Sequence, residues 1–420
     1  MSEHYDELET RDPELREQEQ LQRLRLQIAH AKAKAPAFAR ILAGIDPAGI
    51  VSRDDLARLP ITRKSELIPV QKEAPPFGGF AASGWGDVRR VFASPGPIFE
   101  PEGRKVDYWR FARSLFAAGF RERDLVHNCF SYHFTPAGSM IENGATALGC
   151  TVFPGGIGQT EQQVQVMAAL EPDGYAGTPS FLKIILDRAE SMGVGLRRLR
   201  KALFAGEAFP AALRDEFIAR GVDGYQSYGT ADIDTIAYET AAREGLVIDE
   251  GVLVEIVHPG TGGPVTMGEV GEVVVTSLYN SDYPLIRFGT GDLSAFMGGT
   301  SPCGRTNLRI KGWMGRADQT AKVRGLFVHP SQVGAILRRH PGIGRARLVI
   351  DNEGGADRMT LHLEVAERGS LAPDAIVTSI REITKLRGEV VFRMLGELPD
   401  DGKIIEDVRT YNRTPIELSS

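Results

Sequence analysis

Between residues 108 and 204 the chain alternates helix-length stretches with short apolar runs closed off by glycine and proline. Residues 125–128, 151–153 and 174–176 read as buried strands, and 108–118, 161–170 and 180–189 as the helices around them. That alternation implies βα units and a largely parallel sheet. Further on, 246–258 and 269–278 alternate with period two, which predicts antiparallel strands joined by a turn at 259–263. Residues 333–339, 347–351, 360–365 and 374–387 then read as helix, strand, strand, helix, a small α+β module. The expected fold is α/β. A large N-terminal domain of mixed sheets flanked by helices, 1–315, joins a small α+β C-terminal domain, 320–420, through a hinge at 316–319. Glycines at 312 and 315 loosen the approach to that joint.

The N-terminal part carries weaker signals. The first 20 or so residues are charged and are expected to be loose. Residues 21–42 show the spacing of an amphipathic helix that Pro36 kinks or breaks. Residues 56–67 read as helix, turn, and a second helix capped by Thr62.

Charge and composition exclude several classes of function. A net charge of -6 with both signs interspersed gives no basic field, so nucleic acid is not an expected partner. No run approaches the roughly 20 apolar residues of a membrane span, and the acidic start does not read as a signal peptide. Cys129, Cys150 and Cys303 are too few and too scattered for a disulfide framework, which points to a reducing cytoplasm.

Three segments bearing glycine and an acid follow one another from the middle of the chain onward. They are Ser227-Tyr228-Gly229-Thr230-Ala231-Asp232, Arg287-Phe288-Gly289-Thr290-Gly291-Asp292-Leu293, and Gly315-Arg316-Ala317-Asp318 running on to Lys322-Val323-Arg324-Gly325. Each is a turn that presents a polar group. As an ordered set they offer what an adenosine nucleotide needs. The first has a ring for the base and a carboxylate for Mg2+, the second an acid for ribose hydroxyls, the third a cation and a flexible joint.

With Gly177-Thr178-Pro179-Ser180, Leu203-Phe204-Ala205-Gly206-Glu207, and Phe153-Pro154-Gly155-Gly156 followed by Gln159-Thr160-Glu161-Gln162-Gln163, these segments resemble the motifs of adenylate-forming ligases. Within them the chain is similar to the phenylacetate-CoA ligase family. The resemblance implies ATP-dependent activation of a carboxylic acid to acyl-AMP, followed by attack of the CoA thiol to give an acyl-CoA. It implies ATP or AMP, Mg2+ and CoA as cofactors, with a small carboxylic acid as substrate. A carrier-protein thiol in place of CoA, and a homodimer, stay open.

Carried onto this chain, the resemblance gives each residue a role. Gly206, Glu207 and Ala208 form one wall of the adenine site and Ser227, Tyr228 and Gly229 the other, with the Tyr228 ring stacked on the base. Asp292 takes the ribose hydroxyls and Arg316 the ribose and phosphate; an Asx-turn aspartate and a solvated linker arginine are the plain alternatives. Thr230 contacts phosphate, and Asp232, one methylene shorter than the family's glutamate, is associated with Mg2+. Lys403, in Leu398-Pro399-Asp400-Asp401-Gly402-Lys403, stands where the family has its catalytic lysine. Its ammonium would bridge carboxylate and α-phosphate, two anions that otherwise repel. Phe130, Tyr132, His133 and Phe134 align with the segment lining the acyl pocket, where aromatic walls suit an aromatic or arylacetic acid; a core turn is the alternative. Asp318 is the hinge residue, and Arg324 and Gly325 fall in the CoA-binding stretch.

Two departures stand out. The family's Ser/Thr/Gly-rich phosphate loop is replaced by Phe92-Ala93-Ser94-Pro95-Gly96-Pro97-Ile98-Phe99-Glu100-Pro101. Prolines remove amide donors, and Glu100 and Glu102 are expected to repel pyrophosphate unless Arg104 or Lys105 compensates. The Cys/His cluster that many members use for zinc reads Thr240, Val247 and Ser301, leaving Cys303 alone, so no zinc is expected. Two functions follow. One is an acyl-CoA ligase for an aromatic acid. The other is a divergent member that has lost efficient adenylation and works in acyl transfer or as a nucleotide- or CoA-binding protein.

Overall fold

A computed structural model of the chain describes residues 3–94, 98–323, 326–351, 357–367 and 371–409. The chain divides into two compact units, Met1–Trp313 and Met314–Ser420. Among the described residues no helix is long and apolar enough to cross a membrane.

The βα units of the larger unit build one half of a nine-stranded sheet among the described residues. Strands Thr151–Pro154, Leu125–Asn128, Gly174–Gly177, Lys201–Phe204 and Asp223–Thr230 lie side by side in that order, each pair parallel. Helices Ala137–Ala147, Thr160–Leu170, Pro179–Ser191 and Ala211–Ala219 connect them. The third of these starts where the sequence says it should. Thr178 caps it, its hydroxyl accepting from the Phe181 amide, and Pro179 occupies a first-turn position where a missing N–H costs nothing.

Strand Asp223–Thr230 changes partner along its length. Residues 223–226 pair in parallel with 201–204, and 227–230 pair antiparallel with Asp234–Tyr238. From there the sheet continues antiparallel through Leu246–Ile248, Arg309–Ile310 and Phe296–Met297.

A four-stranded sheet is formed by Val252–Val257, Gly271–Ser277, Phe288–Ser294 and the short Thr62–Arg63, which runs parallel to 288–289. The expected antiparallel pair is present, yet every residue of Val252–Val257 and Gly271–Ser277 is buried. Its period-two pattern therefore does not mark a solvated face. Polar residues on these strands, such as Glu255, are paired inside.

The N-terminus also corrects its expectation. Asp12 caps a helix over Pro13–Lys34, and Ala35 separates it from a second helix, Pro36–Ile41. Far from being loose, the charged start is tied down: Glu9 is fully buried and accepts from the Tyr238 hydroxyl at 2.6 Å, with Arg305 at 2.9 Å. Thr62 is not a helix cap either; it lies in the Thr62–Arg63 strand, and Arg63 precedes the helix Lys64–Glu73.

The smaller unit has helices Pro330–Arg339 and Pro373–Thr384 against a sheet of order Glu389–Met394, Arg358–Val365, Ile343–Asp351, Ile405–Asp407. Its own core gathers Val333, Ile336, Leu348, Leu361 and Ile376.

Arg287 joins four segments of the larger unit. Only 2 % exposed, it donates from Nε and Nη2 to the two Glu255 oxygens, each at 3.0 Å. Nη1 reaches the carbonyls of Ala57 (2.7 Å) and Leu59, and Nη2 that of Gly262 at 3.3 Å. A planar fork of five donors suits this work better than a lysine would. Arg287→Met should cost about 3–5 kcal/mol in chemical denaturation, because Glu255 is left buried without a counter-charge. Adding Glu255→Leu should recover most of that loss. A single-mutant cost nearer 1 kcal/mol, the worth of a solvated pair, would mean that water reaches Glu255.

Candidate active site

A cleft of about 590 Å³ opens where the parallel strands end. Gly206, Glu207 and Ala208 follow strand Lys201–Phe204; Ser227, Tyr228 and Gly229 follow the parallel part of strand Asp223–Thr230. Asp292 comes from strand Phe288–Ser294 of the other sheet, and Lys311, Gly312 and Trp313 complete the rim. Ligands of open α/β sheets are held at such carboxyl ends. The cleft thus brings together seven of the eight residues assigned to nucleotide binding from sequence.

The local reasons are visible. Gly206 turns out of its strand at φ 80, and the Glu207 carboxylate then accepts from the Ser180 amide at 3.3 Å. Ser180 lies in the first turn of the helix Pro179–Ser191, whose N-terminal dipole favours an acid. Gly229 sits at a bulge where an added Cβ would lie 2.3 Å from the Asp234 carbonyl oxygen, so no other residue fits.

Asp292 is held from both sides. The Tyr228 hydroxyl donates to Oδ2 at 3.0 Å and the Trp313 indole N–H to Oδ1 at 3.1 Å. Its amide donates to Thr290 Oγ1 at 3.1 Å, which in turn donates to the Val273 carbonyl at 3.0 Å. A carboxylate offers about four lone-pair sites and can accept several hydrogen bonds at once. Trp313, half exposed, was missed from sequence, as were Lys311, Gln226, Glu239 and Arg243, which also line the cleft. The available signal was a tryptophan between two glycines, in a stretch read as linker.

At the other end of the Tyr228-to-Asp232 segment the structure departs from expectation. Thr230 Oγ1 accepts from the Ile233 amide at 3.1 Å. The Asp232 side chain has no exposed surface, and Oδ2 takes a hydrogen bond from Lys64 Nζ at 2.6 Å. The Mg2+ expected at Asp232 does not fit this arrangement. An ammonium already holds one oxygen, and the carboxylate is closed to solvent. Among the described residues no group of three or more His, Cys, Asp or Glu side chains is placed to hold a metal ion.

The altered phosphate segment forms a hairpin, Arg90–Ser94 against Ile98–Glu102, around residues 95–97, which lie outside the described part. Glu100 and Glu102 are 1 % and 0 % exposed, so they do not face an open phosphate path. The expected repulsion is corrected accordingly. Burial, then the Asp232 charge, push the Glu100 carboxyl up to about 8, against the opposing hydrogen bonds from Ser94 and the charge of Lys64. It carries a proton at neutral pH. Arg104 bonds the carbonyls of Gly86 and Asp87, and Lys105 lies over the Tyr279 ring.

The four acyl-pocket residues are not gathered into the cleft. Phe130 is buried in the core, and the Tyr132 hydroxyl accepts from Asn128 Nδ2 at 2.8 Å. His133 is exposed and Phe134 is 81 % exposed at φ 61. Within the smaller unit Arg316 precedes the 3-10 turn Ala317–Gln319, which contains Asp318. Arg324 and Gly325 lie outside the described residues. Lys403 is exposed, and Gln319 grips the backbone on both sides of it: Nε2 donates to the Gly402 carbonyl at 3.1 Å and Oε1 accepts from the Ile404 amide at 2.8 Å.

Comparison with known proteins agrees with this architecture. A family model described as AMP-binding enzyme matches residues 107–280. The phenylacetate-coenzyme A ligase of Thermus thermophilus is 34% identical over 79% of this chain and 77% of its own. That of Pseudomonas putida is 31% identical over 86% of this chain and 84% of its own. The chain belongs to the phenylacetate-CoA ligase family. An open conformation of 2-hydroxyisobutyryl-CoA ligase, in complex with 2-HIB-AMP and CoA, has the same fold: TM-score 0.85, 24% identity, 97% of this chain and 95% of that one. Members of this family are AMP-forming CoA ligases of the adenylate-forming superfamily, and this chain is one of them.

Three of the four positions considered for zinc, Thr240, Ser301 and Cys303, form a small polar cluster with Arg305. Ser301 Oγ stands 3.0 Å from Cys303 Sγ, and Arg305 Nη1 donates to the sulfur at 3.5 Å. Burial pushes this thiol up, but hydrogen bonds from Ser301, Thr240 and Arg305 outweigh it and bring Cys303 to about 7. Burial takes Cys129 and Cys150 up to about 12. Iodoacetamide should therefore label Cys303 in the folded protein with a rate that rises through a midpoint of about 7, and leave the other two untouched. Peptide mass spectrometry across a pH series checks this. A midpoint in the ordinary cysteine range would remove the effect of the three donors.

Proposed function

We propose that this protein is an ATP-dependent acyl-CoA ligase that activates an aromatic or arylacetic acid through acyl-AMP and passes the acyl group to CoA. The observation that carries the reading is the cleft itself, with Gly206 to Ala208, Ser227 to Gly229 and Asp292 converging on one space. The relatives named for phenylacetate support the substrate class. The four aromatic-segment residues lend it no support, since they do not converge.

In this reading the adenine base lies between the Gly206–Ala208 backbone and the Tyr228 ring. The Tyr228 hydroxyl and Trp313 indole hold Asp292 in place to accept the ribose hydroxyls. That preorganisation lowers the cost of ordering the carboxylate when ligand arrives. Lys403 and Arg316, both in the smaller unit, supply cations, and Asp318 is the pivot that exchanges them for the CoA-binding segment at Arg324 and Gly325. Lys403 compensates the charge that develops as the acid attacks the α-phosphate.

A second reading is favoured by one observation. The hairpin ties the Ser94 amide and hydroxyl to Glu100, and two of the three residues between its strands in sequence, 95–97, are prolines without N–H groups. Few donors remain there for outer phosphates, as expected of a member that transfers acyl groups from preformed acyl-adenylate. ATP–pyrophosphate exchange across a panel of aryl acids separates the two. Exchange with any of them supports the ligase, and none with all of them supports the transfer reading.

Two substitutions test the residues. Asp292→Ala should weaken AMP binding by about 1.5–3 kcal/mol, the worth of charge-assisted hydrogen bonds. Calorimetric titration reads this, and unchanged affinity would take Asp292 out of the ribose site. Lys403→Ala should abolish acyl-AMP formation while thioester formation from synthetic acyl-AMP continues. An equal loss in both half-reactions would make the lysine a structural residue.

A further inference from the structure

Lys64 is the one basic residue described in direct contact with Asp232, and it is delivered there by the fold. Strand Thr62–Arg63 pairs in parallel with Phe288–Ser294, Arg63 opposite Gly289, so the next residue stands level with Thr290, two positions before Asp292. The helix Lys64–Glu73 begins at that point. From it the ammonium reaches Asp232 Oδ2 at 2.6 Å, while Oδ1 is enclosed without a hydrogen-bond partner. The lysine side chain keeps 25 % of its surface exposed and the aspartate none, so the cation lies on the accessible side of the pair. A second carboxyl that feels the Asp232 charge, Glu100, is buried and bonded to Ser94.

A site with a single enclosed carboxylate, already paired with an ammonium, is a poor host for Mg2+, which demands six oxygen ligands at near-octahedral angles. The same ammonium places a positive charge at Asp232, three residues beyond Gly229 of the cleft lining. We propose that Lys64 takes the place of a protein-held metal: it neutralises Asp232 and provides the cation that faces the nucleotide phosphate, so that adenylate binding needs no Mg2+. The proposal rests on the nucleotide reading of the cleft. Lys64 is a ligand-binding residue here, and its signature is the metal dependence of binding rather than its strength alone.

The experiment is calorimetric titration of AMP into wild type, Lys64→Met, Lys64→Arg and Asp232→Asn, each in EDTA and in excess Mg2+. Wild type should bind equally in both buffers, within about two-fold. Lys64→Met should lose about ten-fold or more in EDTA, the scale of a charge-assisted contact, and regain part of it with Mg2+ once Asp232 is released. Lys64→Arg, which keeps the charge, should behave as wild type. Thermal unfolding without nucleotide checks the pair independently: Lys64→Met and Asp232→Asn should each lower Tm more than the double variant does, since each leaves one buried partner alone. Wild-type affinity that rises ten-fold with Mg2+, or a Lys64→Met protein indifferent to Mg2+, would overturn the inference and leave the nucleotide site standing. Absence of AMP binding by wild type in both buffers would remove that site and the inference with it.

Discussion

Strand Asp223–Thr230 has to satisfy a parallel neighbour along its first half and an antiparallel one along its second, and the cleft exists because it does both. Backbone donors and acceptors buried in a sheet must all find partners. Once residues 223–226 are committed to 201–204, the chain beyond Phe204 has no strand to follow and leaves the sheet, which opens space beside Ser227 and Tyr228. The antiparallel return at Asp234 then comes so close to Gly229 that a side chain is excluded. The glycine in the Tyr228-Gly229-Thr230 segment thus answers to the approach of two backbones, and the tyrosine before it is held at a fixed angle to the opening.

Electrostatics around this opening are settled by burial and pairing more than by formal charge. Three acids lie near one another in sequence or space, yet each is handled differently. Asp292 accepts from two neutral donors, the Tyr228 hydroxyl and the Trp313 indole. Asp232 is neutralised by Lys64. Glu100 holds its proton because burial opposes ionisation. An argument from sequence charge alone counts three repelling carboxylates. With one of them paired and one protonated, Asp292, held by Tyr228 and Trp313, is the acid of the three that lines the cleft.

The parts of this arrangement that could be read from sequence are the local ones. The βα alternation, the Pro36 break and the capping of Pro179–Ser191 by Thr178 each depend on a few adjacent residues. So does the gathering of Gly206–Ala208 and Ser227–Gly229 at strand ends, because each turn directly follows its own strand. What could not be read depends on residues far apart. Lys64 and Asp232 are separated by 168 positions, and nothing near either one announces the other. The same holds for Glu9 with Tyr238 and Arg305, which turns a charged tail into a buried strut. Strands Val252–Val257 and Gly271–Ser277 misled in another way: their alternation is real, but the polar positions are buried in ion pairs such as Glu255 with Arg287. The resemblance assigns Phe130 to Phe134 to the acyl pocket, and what the sequence does not show is that the turn sends Phe130 into the core and Phe134 into solvent.

The smaller unit poses a separate mechanical problem, and Gln319 answers it. In the role proposed for it, Lys403 works from an exposed loop and pays side-chain entropy whenever it is used, about 1.5–2 kcal/mol for its rotamers alone, and more if the loop also wanders. Gln319 removes the second cost by bonding the carbonyl before Lys403 and the amide after it. Because Gln319 directly follows Asp318 in the 3-10 turn, the backbone of the lysine loop is fixed to the last residue of the joint itself. Any turn of the chain at residue 318 therefore carries the Lys403 backbone through the same angle, with no slack in an intervening flexible segment. For the role proposed for Lys403, needed in one half-reaction and not in the next, a mounting on residue 319 serves better than one at the end of a tether.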